Sequence, residues 1–417
     1  MLYEAYEARR VLARSVYGMA ALTSGALRRL PEPLGASRSV RTWRALADTT
    51  AALELTHDRP PYRMDSVELN GWEVPVEEQM VSSTPFGSLV RFHKDTALDQ
   101  PSVLIVPGLA GHFGTLVRGT IRTMLPDHDV YVADWHNARD VPVAAGRFGL
   151  DEYIGHIMDF LMEIGPGAHI VAVCQPAVAT LAAAALMAED GHEAQPSSIT
   201  LIAGPVDVRV NPGRINRFAE RKSLESLERT VITTVPWPHR GAGRRVYPGF
   251  LQVMGFMGMD PRRHASAFRD LFGDLARGND EDADRTITFY DEYFAVLDVA
   301  AEFYLDSARV VFQDHDLARG CMLWRDRQVD PSRITSALLT VEGELDEMCC
   351  PGQTEAAHVL CTGVSKHRKH HHLQPGVGHY GVFNGSRFER EIYPEIRRFI
   401  DENDEEQRRA AAAATSA

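Results

Sequence analysis

The fold is decided by one stretch, Ile170-Val171-Ala172-Val173-Cys174-Gln175-Pro176-Ala177, in which an apolar strand ends at a cysteine and an alanine-rich helical segment follows at once. A nucleophile on a strained strand-to-helix turn needs small residues two positions away on either side, which gives the G-x-S-x-G pattern. Ala172 keeps this requirement, and Pro176 suits a first helical turn because proline has no N–H group to leave unpaired. Taken alone the pattern is weak, because a buried cysteine at a strand end often serves only as a small hydrophobic residue.

Short apolar runs of the buried-strand type alternate with helical stretches around this turn. The runs lie at residues 103–106, 130–133, 169–173, 199–203 and 338–341. Such alternation predicts a mostly parallel central sheet with helices on both faces. Upstream, two β-rich segments flank Pro85-Phe86-Gly87 and predict a hairpin that opens the sheet.

The same pattern divides the chain into segments. The strand–helix alternation lapses for more than 120 residues before the last of the apolar runs, and this lapse predicts an inserted cap. The N-terminal segment is predicted to be a helical arm. This arm either packs on the rest of the protein or docks on the surface of a lipid-like or polymeric phase. The predicted segments are the arm (1–75), the first part of the core (76–205), the cap or lid (206–335), the second part of the core (336–405) and a disordered alanine-rich tail (406–417).

The loop after the strand at 103–106 contains Gly108 and Gly111 and leads to His112. In folds with this kind of turn, that loop supplies one N–H group of an oxyanion hole, and the residue after the nucleophile supplies the other. The backbone amides of Leu109 or Ala110 and of Gln175 are therefore predicted to stabilise a tetrahedral oxyanion. A plain tight turn is the alternative interpretation.

Two later loops carry an acid and a base. Asp346 follows the strand at 338–341, and His379 lies between glycines shortly before the last predicted helix. The chain order nucleophile, acid, base is that of α/β-hydrolases. We therefore predict an α/β-hydrolase fold with Cys174, Asp346 and His379 as a catalytic triad. The alternatives for the acid are Glu344, Glu347 and Asp207.

In such a triad the imidazole of His379 takes the thiol proton of Cys174, and Asp346 holds the imidazole tautomer. Attack of the thiolate on an ester gives an enzyme thioester, which water or another thiol resolves. Residues that follow strand ends line the pockets of α/β folds. The candidate substrate contacts are His112, Trp135, His136 and Tyr380.

Composition excludes several classes of protein. With 44% hydrophobic and 24% charged residues among 417, the chain can bury a large core. A formal net charge of −13 argues against nucleic acid as a partner. The five cysteines suggest no disulfide framework, which fits a reducing cytosol. Outside the arm the longest apolar run, at 177–188, is shorter than the roughly 20 residues of a membrane span, and we predict no export signal.

A histidine-rich stretch precedes the last glycine-flanked motif. It contains His367, His370, His371 and His372. These residues lack cysteine or histidine partners at zinc-site spacing, so a basic surface loop leading into a strand is the favoured interpretation. We predict no metal site.

Several motifs together resemble the cysteine-type intracellular poly(3-hydroxybutyrate) depolymerases, a family of polyhydroxyalkanoate depolymerases. The motifs are VPGLAGH at 106–112, VADWHNAR at 132–139, AVCQP at 172–176, YPGFLQ at 247–252 and QPGVGHYGVF at 374–383. The resemblance implies Cys174 as nucleophile, Asp346 as orienting acid and His379 as base. It implies a cytoplasmic, granule-associated enzyme that releases 3-hydroxyacyl units from storage polyester, needs no cofactor and has coenzyme A as an alternative acyl acceptor. The N-terminal stretch departs most from the family.

Three other interpretations of the function remain open. A polyhydroxyalkanoate synthase looks similar but has glycines on both sides of its cysteine, where this chain has Ala172 and Pro176. A generic lipase, carboxylesterase or thioesterase of the same fold would cleave soluble esters but not polymer. A catalytically idle granule-binding protein would have no reason to keep the triad. The sequence predicts neither the side-chain length of the polymer nor the oligomeric state.

Overall fold

The computed structural model of the protein describes residues 2–259 and 261–415. Its strands are β1 (Ser66–Leu69), β2 (Trp72–Ser83), β3 (Gly87–Lys94), β4 (Ser102–Val106), β5 (Asp129–Trp135), β6 (His169–Val173), β7 (Ser198–Ile202), β8 (Thr233–Thr234), β9 (Arg245–Tyr247), β10 (Val299–Ala300), β11 (Leu323–Trp324), β12 (Arg327–Gln328), β13 (Ala337–Gly343) and β14 (Lys369–Gln374). Its α-helices are α1 (Leu2–Arg28), α2 (Arg38–Ala51), α3 (Arg118–Met124), α4 (Leu150–Ile164), α5 (Ala177–Glu189), α6 (Arg214–Arg221), α7 (Leu224–Val231), α8 (Gly249–Met259), α9 (Pro261–Arg277), α10 (Asp280–Tyr293), α11 (Ala301–Ser307), α12 (Ala357–Leu360) and α13 (Tyr393–Thr415).

Nine strands form the central sheet in the order β1-β2-β3-β5-β4-β6-β7-β13-β14. The strands from β5 to β14 in this order run parallel, whereas β1, β2 and β3 add an antiparallel edge. The five apolar runs predicted as buried strands all lie in the parallel part. The α/β-hydrolase fold predicted from the sequence is confirmed.

Both faces of this sheet are covered, as its central strand β4 shows. Leu104 and Val106 pack into the core on one face, and Val103 and Ile105 pack into the core on the other. All four side chains are fully buried. Because a strand buried on both faces cannot shift or tilt without opening one core, the loops at its carboxyl end start from fixed positions.

The sheet starts earlier than the predicted boundary at residue 76. β1 pairs with β2 in an antiparallel hairpin whose turn residues Asn70 and Gly71 have φ values of 52° and 82°. An Asn-Gly pair with positive φ at both positions is a strong two-residue hairpin signal. The arm proper therefore ends before Ser66, and the hairpin belongs to the sheet.

The arm is helical, as predicted, and its start packs on the body. The hydroxyl of Tyr3 donates to the carboxylate of Asp298 at 2.5 Å, and the ring of Tyr6 stacks on Phe250 at 3.7 Å between centroids. Helix α1 also packs on α2, which in turn packs on α9. Further along α1 the apolar side chains face solvent; they include Val11, Leu12, Val16, Met19 and Leu22.

The chain between β7 and β13 contains helices α6 to α11 and the short strands β8 to β12. Strands β8, β9 and β10 form a small sheet of their own. This segment joins the body through backbone hydrogen bonds, from the amide of Leu297 to the carbonyl of Gly111 at 2.8 Å and from the amide of Thr56 to the carbonyl of Phe294 at 2.9 Å. It therefore lies against the loop that follows β4.

The alanine-rich tail differs from the expectation of disorder. Helix α13 continues to Thr415, so residues 406–415 are helical. Alanine, glutamate, glutamine and arginine are among the best helix formers, which gives this segment an intrinsic preference for helix. Residues 416 and 417 lie outside the described part of the chain. Within the described ranges, no helix has both the length and the apolar character needed to cross a bilayer.

Candidate active site

Cys174 lies at the turn between β6 and α5, where its backbone φ is 68°. A residue with a side chain rarely adopts this left-handed conformation, which costs on the order of 1–2 kcal/mol. The Cys174 amide donates to the carbonyl of Ile202 at 2.8 Å, and the Cys174 carbonyl accepts from the amide of Ala177 at 3.3 Å. These bonds hold the turn on both sides, and the half-buried thiol lies at the carboxyl edge of the parallel strands.

Close packing beside this turn depends on Gly204, a residue that the sequence pattern did not indicate. A Cβ atom at Gly204 would overlap the Cβ of Ala177 and lie 3.1 Å from the carbonyl oxygen of Cys174. The available signal was a glycine directly after the strand at 199–203. Glycine is so common in ordinary turns that the signal is not specific.

We expect Gly204→Ala to lower the free energy of unfolding by about 1–3 kcal/mol, because overpacking forces neighbouring backbone to shift. It should also slow any reaction at Cys174, since the displaced turn carries the thiol. Denaturant unfolding measures the first effect and a soluble-ester assay the second. Gly18→Ala is the matched control, because a Cβ at Gly18 meets no atom of the described residues within 4 Å. Unchanged stability of Gly204→Ala would contradict the described packing.

Asp346 and His379 lie together on the loops that follow β13 and β14. Nδ1 of His379 is 2.7 Å from Oδ2 of Asp346, and both side chains are buried. The other carboxylate oxygen of Asp346 accepts from the amides of Met348 at 2.8 Å and Cys349 at 2.9 Å. The carboxylate is therefore fixed by backbone donors, and it in turn fixes the imidazole.

The other acids considered for this position are engaged elsewhere. Glu344 accepts a hydrogen bond from the amide of Gly376 at 2.8 Å. Asp207 binds Arg209 through both carboxylate oxygens at 2.8 Å. Glu347 is exposed. The geometry therefore favours Asp346 as the partner of the imidazole.

The thiol of Cys174 lies beside the imidazole of His379, close enough to influence the charge of the ring. Burial lowers the pKa of His379, but the charges of Asp346 and Cys174 and the hydrogen bond to Asp346 raise this pKa well above its ordinary value. The site therefore favours a protonated imidazole beside the sulfur. Such an arrangement can hold a thiolate–imidazolium pair.

The predicted oxyanion donors lie next to each other, but one of them is already bonded. A Cβ atom at Gly108 would lie 3.8 Å from the backbone nitrogen of Gln175, so the loop after β4 touches the turn at Cys174. The amide of Leu109 donates to Oε1 of the Gln175 side chain at 3.2 Å. For Leu109 to bind an oxyanion, this side chain must move aside.

His112 lies beneath aromatic rings of the inserted segment. Its ring stacks on Phe256 at 5.8 Å and is tilted against Tyr293 at 5.1 Å between centroids. Burial lowers the pKa of His112 to about 4, partly offset by backbone hydrogen bonds to Ala110 and Tyr293, so the ring is neutral near pH 7. Its Nε2 atom is buried and has no hydrogen-bond partner among the described residues. A neutral buried nitrogen of this kind can bind a polar atom of a substrate.

Tyr380 connects the base to the inserted segment. Its ring lies 5.7 Å from that of His379 and 6.1 Å from that of Tyr293. Burial and the neighbouring Tyr293 raise the pKa of Tyr380 well above its ordinary value, so the phenol stays neutral. Tyr293 and Phe289 complete this aromatic wall and were not predicted individually. Their signal was the aromatic spacing of residues 289–294.

Trp135 and His136 contact residues of the fold around β5. The indole of Trp135 is buried in the core, donates to the carbonyl of Pro107 at 3.3 Å and stacks on Tyr153 at 4.4 Å. Nε2 of His136 lies 2.8 Å from the hydroxyl of Ser88. The expectation of substrate contact rested on the position of these residues after a strand, whereas the side chains turn into the core and the β2–β3 hairpin. Both residues support the fold around β5, and substrate contact by either of them stays a prediction.

The sheet order and the strand-to-helix turn at Cys174 place the chain in the α/β-hydrolase fold class. Residues 203–404 match the family model described as PHB de-polymerase C-terminus, where PHB denotes poly(3-hydroxybutyrate). The matched segment contains Asp346 and His379 but not Cys174. The match supports an ester hydrolase similar to PHB depolymerases. A comparison with curated protein sequences finds no match.

Solved structures show similarity at low sequence identity. A monoacylglycerol lipase from Paleococcus ferrophilus is 13% identical, with 76% of this chain and 99% of the lipase covered and a TM-score of 0.43. A thermophilic esterase from Thermogutta terrifontis is 14% identical, with 78% of this chain and 98% of the esterase covered and a TM-score of 0.42. Similarity at this level carries no inference about substrate.

Proposed function

We propose that the protein is a depolymerase that cleaves the ester bonds of poly(3-hydroxybutyrate) with a Cys174–His379–Asp346 triad. The observation that carries the proposal is the buried imidazole of His379, whose Nδ1 lies 2.7 Å from Oδ2 of Asp346 and which lies beside the thiol of Cys174. The match of residues 203–404 to PHB depolymerases supports the substrate class. A granule of stored polyester in the cytoplasm is the substrate form that the sequence resemblance implies.

The first half of the reaction follows from this arrangement. His379 takes the thiol proton, and the sulfur of Cys174 attacks an ester carbonyl of the polymer. The resulting oxyanion is bound by the amide of Gln175 and, once the Gln175 side chain has moved, by the amide of Leu109. Collapse of the tetrahedral species breaks the ester bond, His379 gives its proton to the leaving hydroxyl oxygen, and the acyl group remains on sulfur as a thioester.

The second half resolves the thioester. His379 takes a proton from water or from an acceptor thiol, which attacks the thioester carbonyl and releases a 3-hydroxy acid or a 3-hydroxyacyl thioester. Throughout, the carboxylate of Asp346 keeps Nδ1 protonated, so that Nε2 faces the reacting atoms. The acceptor is water or coenzyme A, and no other cofactor is required.

The aromatic wall supports an apolar acyl substrate. Phe256, Phe289, Tyr293 and Tyr380 pack around the mouth formed by His112 and His379. The phenols of Tyr293 and Tyr380 stay neutral, so these side chains present uncharged surfaces to an acyl chain.

We expect purified protein to release 3-hydroxybutyrate units from native amorphous poly(3-hydroxybutyrate) granules, as measured by mass spectrometry with and without coenzyme A. Free acids and oligomers in both samples indicate hydrolysis, and 3-hydroxyacyl-CoA with loss of free thiol indicates thiolysis. If the protein instead forms polymer from 3-hydroxybutyryl-CoA, it is a synthase and the proposal is wrong. If the protein cleaves short soluble esters but does not attack granules, it is a generic esterase and the proposal is wrong.

A further inference from the structure

Three side chains outside the proposed triad form a cluster at β13, β14 and the segment that follows the loop at 343–354. Nε2 of His371 is 3.9 Å from Oε2 of Glu342 and 3.9 Å from Oε2 of Glu355. The ligand atoms of all three residues lie within 4.8 Å of one another. N–H···O hydrogen bonds span about 2.7–3.2 Å, so these atoms face each other at a separation that direct hydrogen bonds do not explain.

We propose that Glu342, Glu355 and His371 bind one zinc ion. Zinc accepts imidazole and carboxylate ligands at about 2.0–2.2 Å in a tetrahedral arrangement, which separates neighbouring ligand atoms by about 3.4 Å. The observed 3.9 Å separations therefore need to contract by roughly half an ångström. Two carboxylates balance the charge of the ion, and water takes the fourth position. This site is independent of the proposed depolymerase activity.

The carboxylate of Glu342 is already fixed in place. It is buried, and its Oε1 accepts from the amides of Thr354 at 2.7 Å and Glu355 at 3.0 Å. Its Oε2 accepts from the amide of Gly352 at 2.7 Å and retains lone-pair capacity toward His371. A ligand held by three backbone donors loses little entropy on binding an ion, which favours affinity.

A hydrogen-bond chain behind His371 is compatible with the tautomer that zinc needs. Nδ1 of His371 lies 2.9 Å from the hydroxyl of Thr340, which lies 2.8 Å from Nε2 of His358. If His371 donates from Nδ1 to Thr340, the single hydroxyl proton of Thr340 is donated onward to His358. Nε2 of His371 then presents a free lone pair to the carboxylates. Zinc-binding histidines commonly donate their second ring nitrogen in this way.

A zinc ion at this position would connect the loop that carries Asp346 to the edge of the central sheet. Glu342 is near the end of β13, Glu355 lies beyond the loop that carries Asp346, and His371 is on the edge strand β14. An ion bound to all three would join both ends of the loop at 343–354 to the neighbouring strand. Because His371 and Glu355 are exposed, the ion can enter from solvent. Folded protein should therefore be stabilised by zinc.

Calorimetry on the full-length Cys174→Ala protein tests the proposal. It measures the unfolding temperature with and without zinc and the number of zinc ions bound per chain. The Cys174→Ala change removes the proposed catalytic thiol as a competing zinc ligand. We expect one ion per chain and a rise of Tm of about 2 °C at saturating zinc. Adding His371→Ala should abolish both. Glu355→Gln, an exposed change that preserves side-chain shape, should also abolish both.

His372→Ala is the matched control, because His372 is the next residue of the same strand and its Nε2 lies 2.8 Å from Oε1 of Gln374 instead. This variant should keep the full response to zinc. The proposal is overturned if zinc leaves Tm of the Cys174→Ala protein unchanged, or if the rise survives in His371→Ala or in Glu355→Gln.

Discussion

Replacing Cys174 by alanine should lower the rate of polymer cleavage by about 10⁴-fold or more, because removal of the nucleophile from a triad leaves only binding and oxyanion stabilisation. The alanine keeps the Cβ atom and the backbone, so the turn at φ 68° should persist. The rate of acid or acyl-CoA release from granules measures the loss. Circular dichroism and thermal unfolding show whether the fold is kept.

Cys321→Ala is the control for this change, since Cys321 is exposed and contacts Asp316 rather than the triad. It should retain the full rate. Cys174→Gly should be equally inactive but more stable than Cys174→Ala by about 1 kcal/mol, if release of strain at positive φ outweighs the added flexibility of the unfolded chain. Retained turnover in Cys174→Ala would place the nucleophile elsewhere.

Replacing Asp346 by asparagine should lower kcat by about 10²–10⁴-fold, because an amide at this position does not hold the imidazole in the tautomer that accepts the thiol proton. The two backbone donors on the buried carboxylate, Met348 and Cys349, would still find an oxygen to bond. The fold should therefore survive while the rate falls. Steady-state kinetics on a soluble 3-hydroxybutyrate ester measures the effect without the complication of a solid substrate.

The pH profile separates this role from a purely structural one. Burial alone lowers the pKa of His379, and the charge of Asp346 is the largest of the effects that raise it. Without that charge the pKa of His379 falls, so the alkaline limb of kcat/KM should move to lower pH. Glu344→Gln is the control, because Glu344 lies on the same loop but bonds the amide of Gly376. A profile that shifts equally in both variants would contradict the assignment of Asp346.

The parallel sheet was predictable because each buried strand is a short apolar run between helical stretches, a pattern that depends only on local sequence. The approach of Asp346 to His379 also follows from local features, since both residues come after neighbouring parallel strands and such loops meet at one edge of the sheet. Whether the two residues act with Cys174 in catalysis stays a prediction. The β1–β2 hairpin was missed although Asn70-Gly71 indicates it directly.

The direction of side chains and the contacts between residues far apart in the chain could not be predicted from the sequence. Trp135 follows the same rule of position as His112, but the pleat of β5 points its indole into the core. Tyr293 and Tyr380 meet across 87 residues of chain, and nothing local to either indicates the other. Likewise, His371 was judged by its histidine neighbours, whereas its partners in space are carboxylates. These features depend on tertiary packing rather than on local pattern.

The central claim is that Cys174 becomes acylated, and mass spectrometry of the enzyme quenched in acid during turnover tests it most directly. With granules or a soluble 3-hydroxybutyrate oligomer as substrate, the account predicts a 3-hydroxyacyl adduct on the peptide that contains Cys174, labile to hydroxylamine as a thioester is. The adduct should accumulate in wild type and be absent from Cys174→Ala. Turnover with an adduct on a different residue, or turnover without any covalent adduct under conditions that trap thioesters, would contradict it.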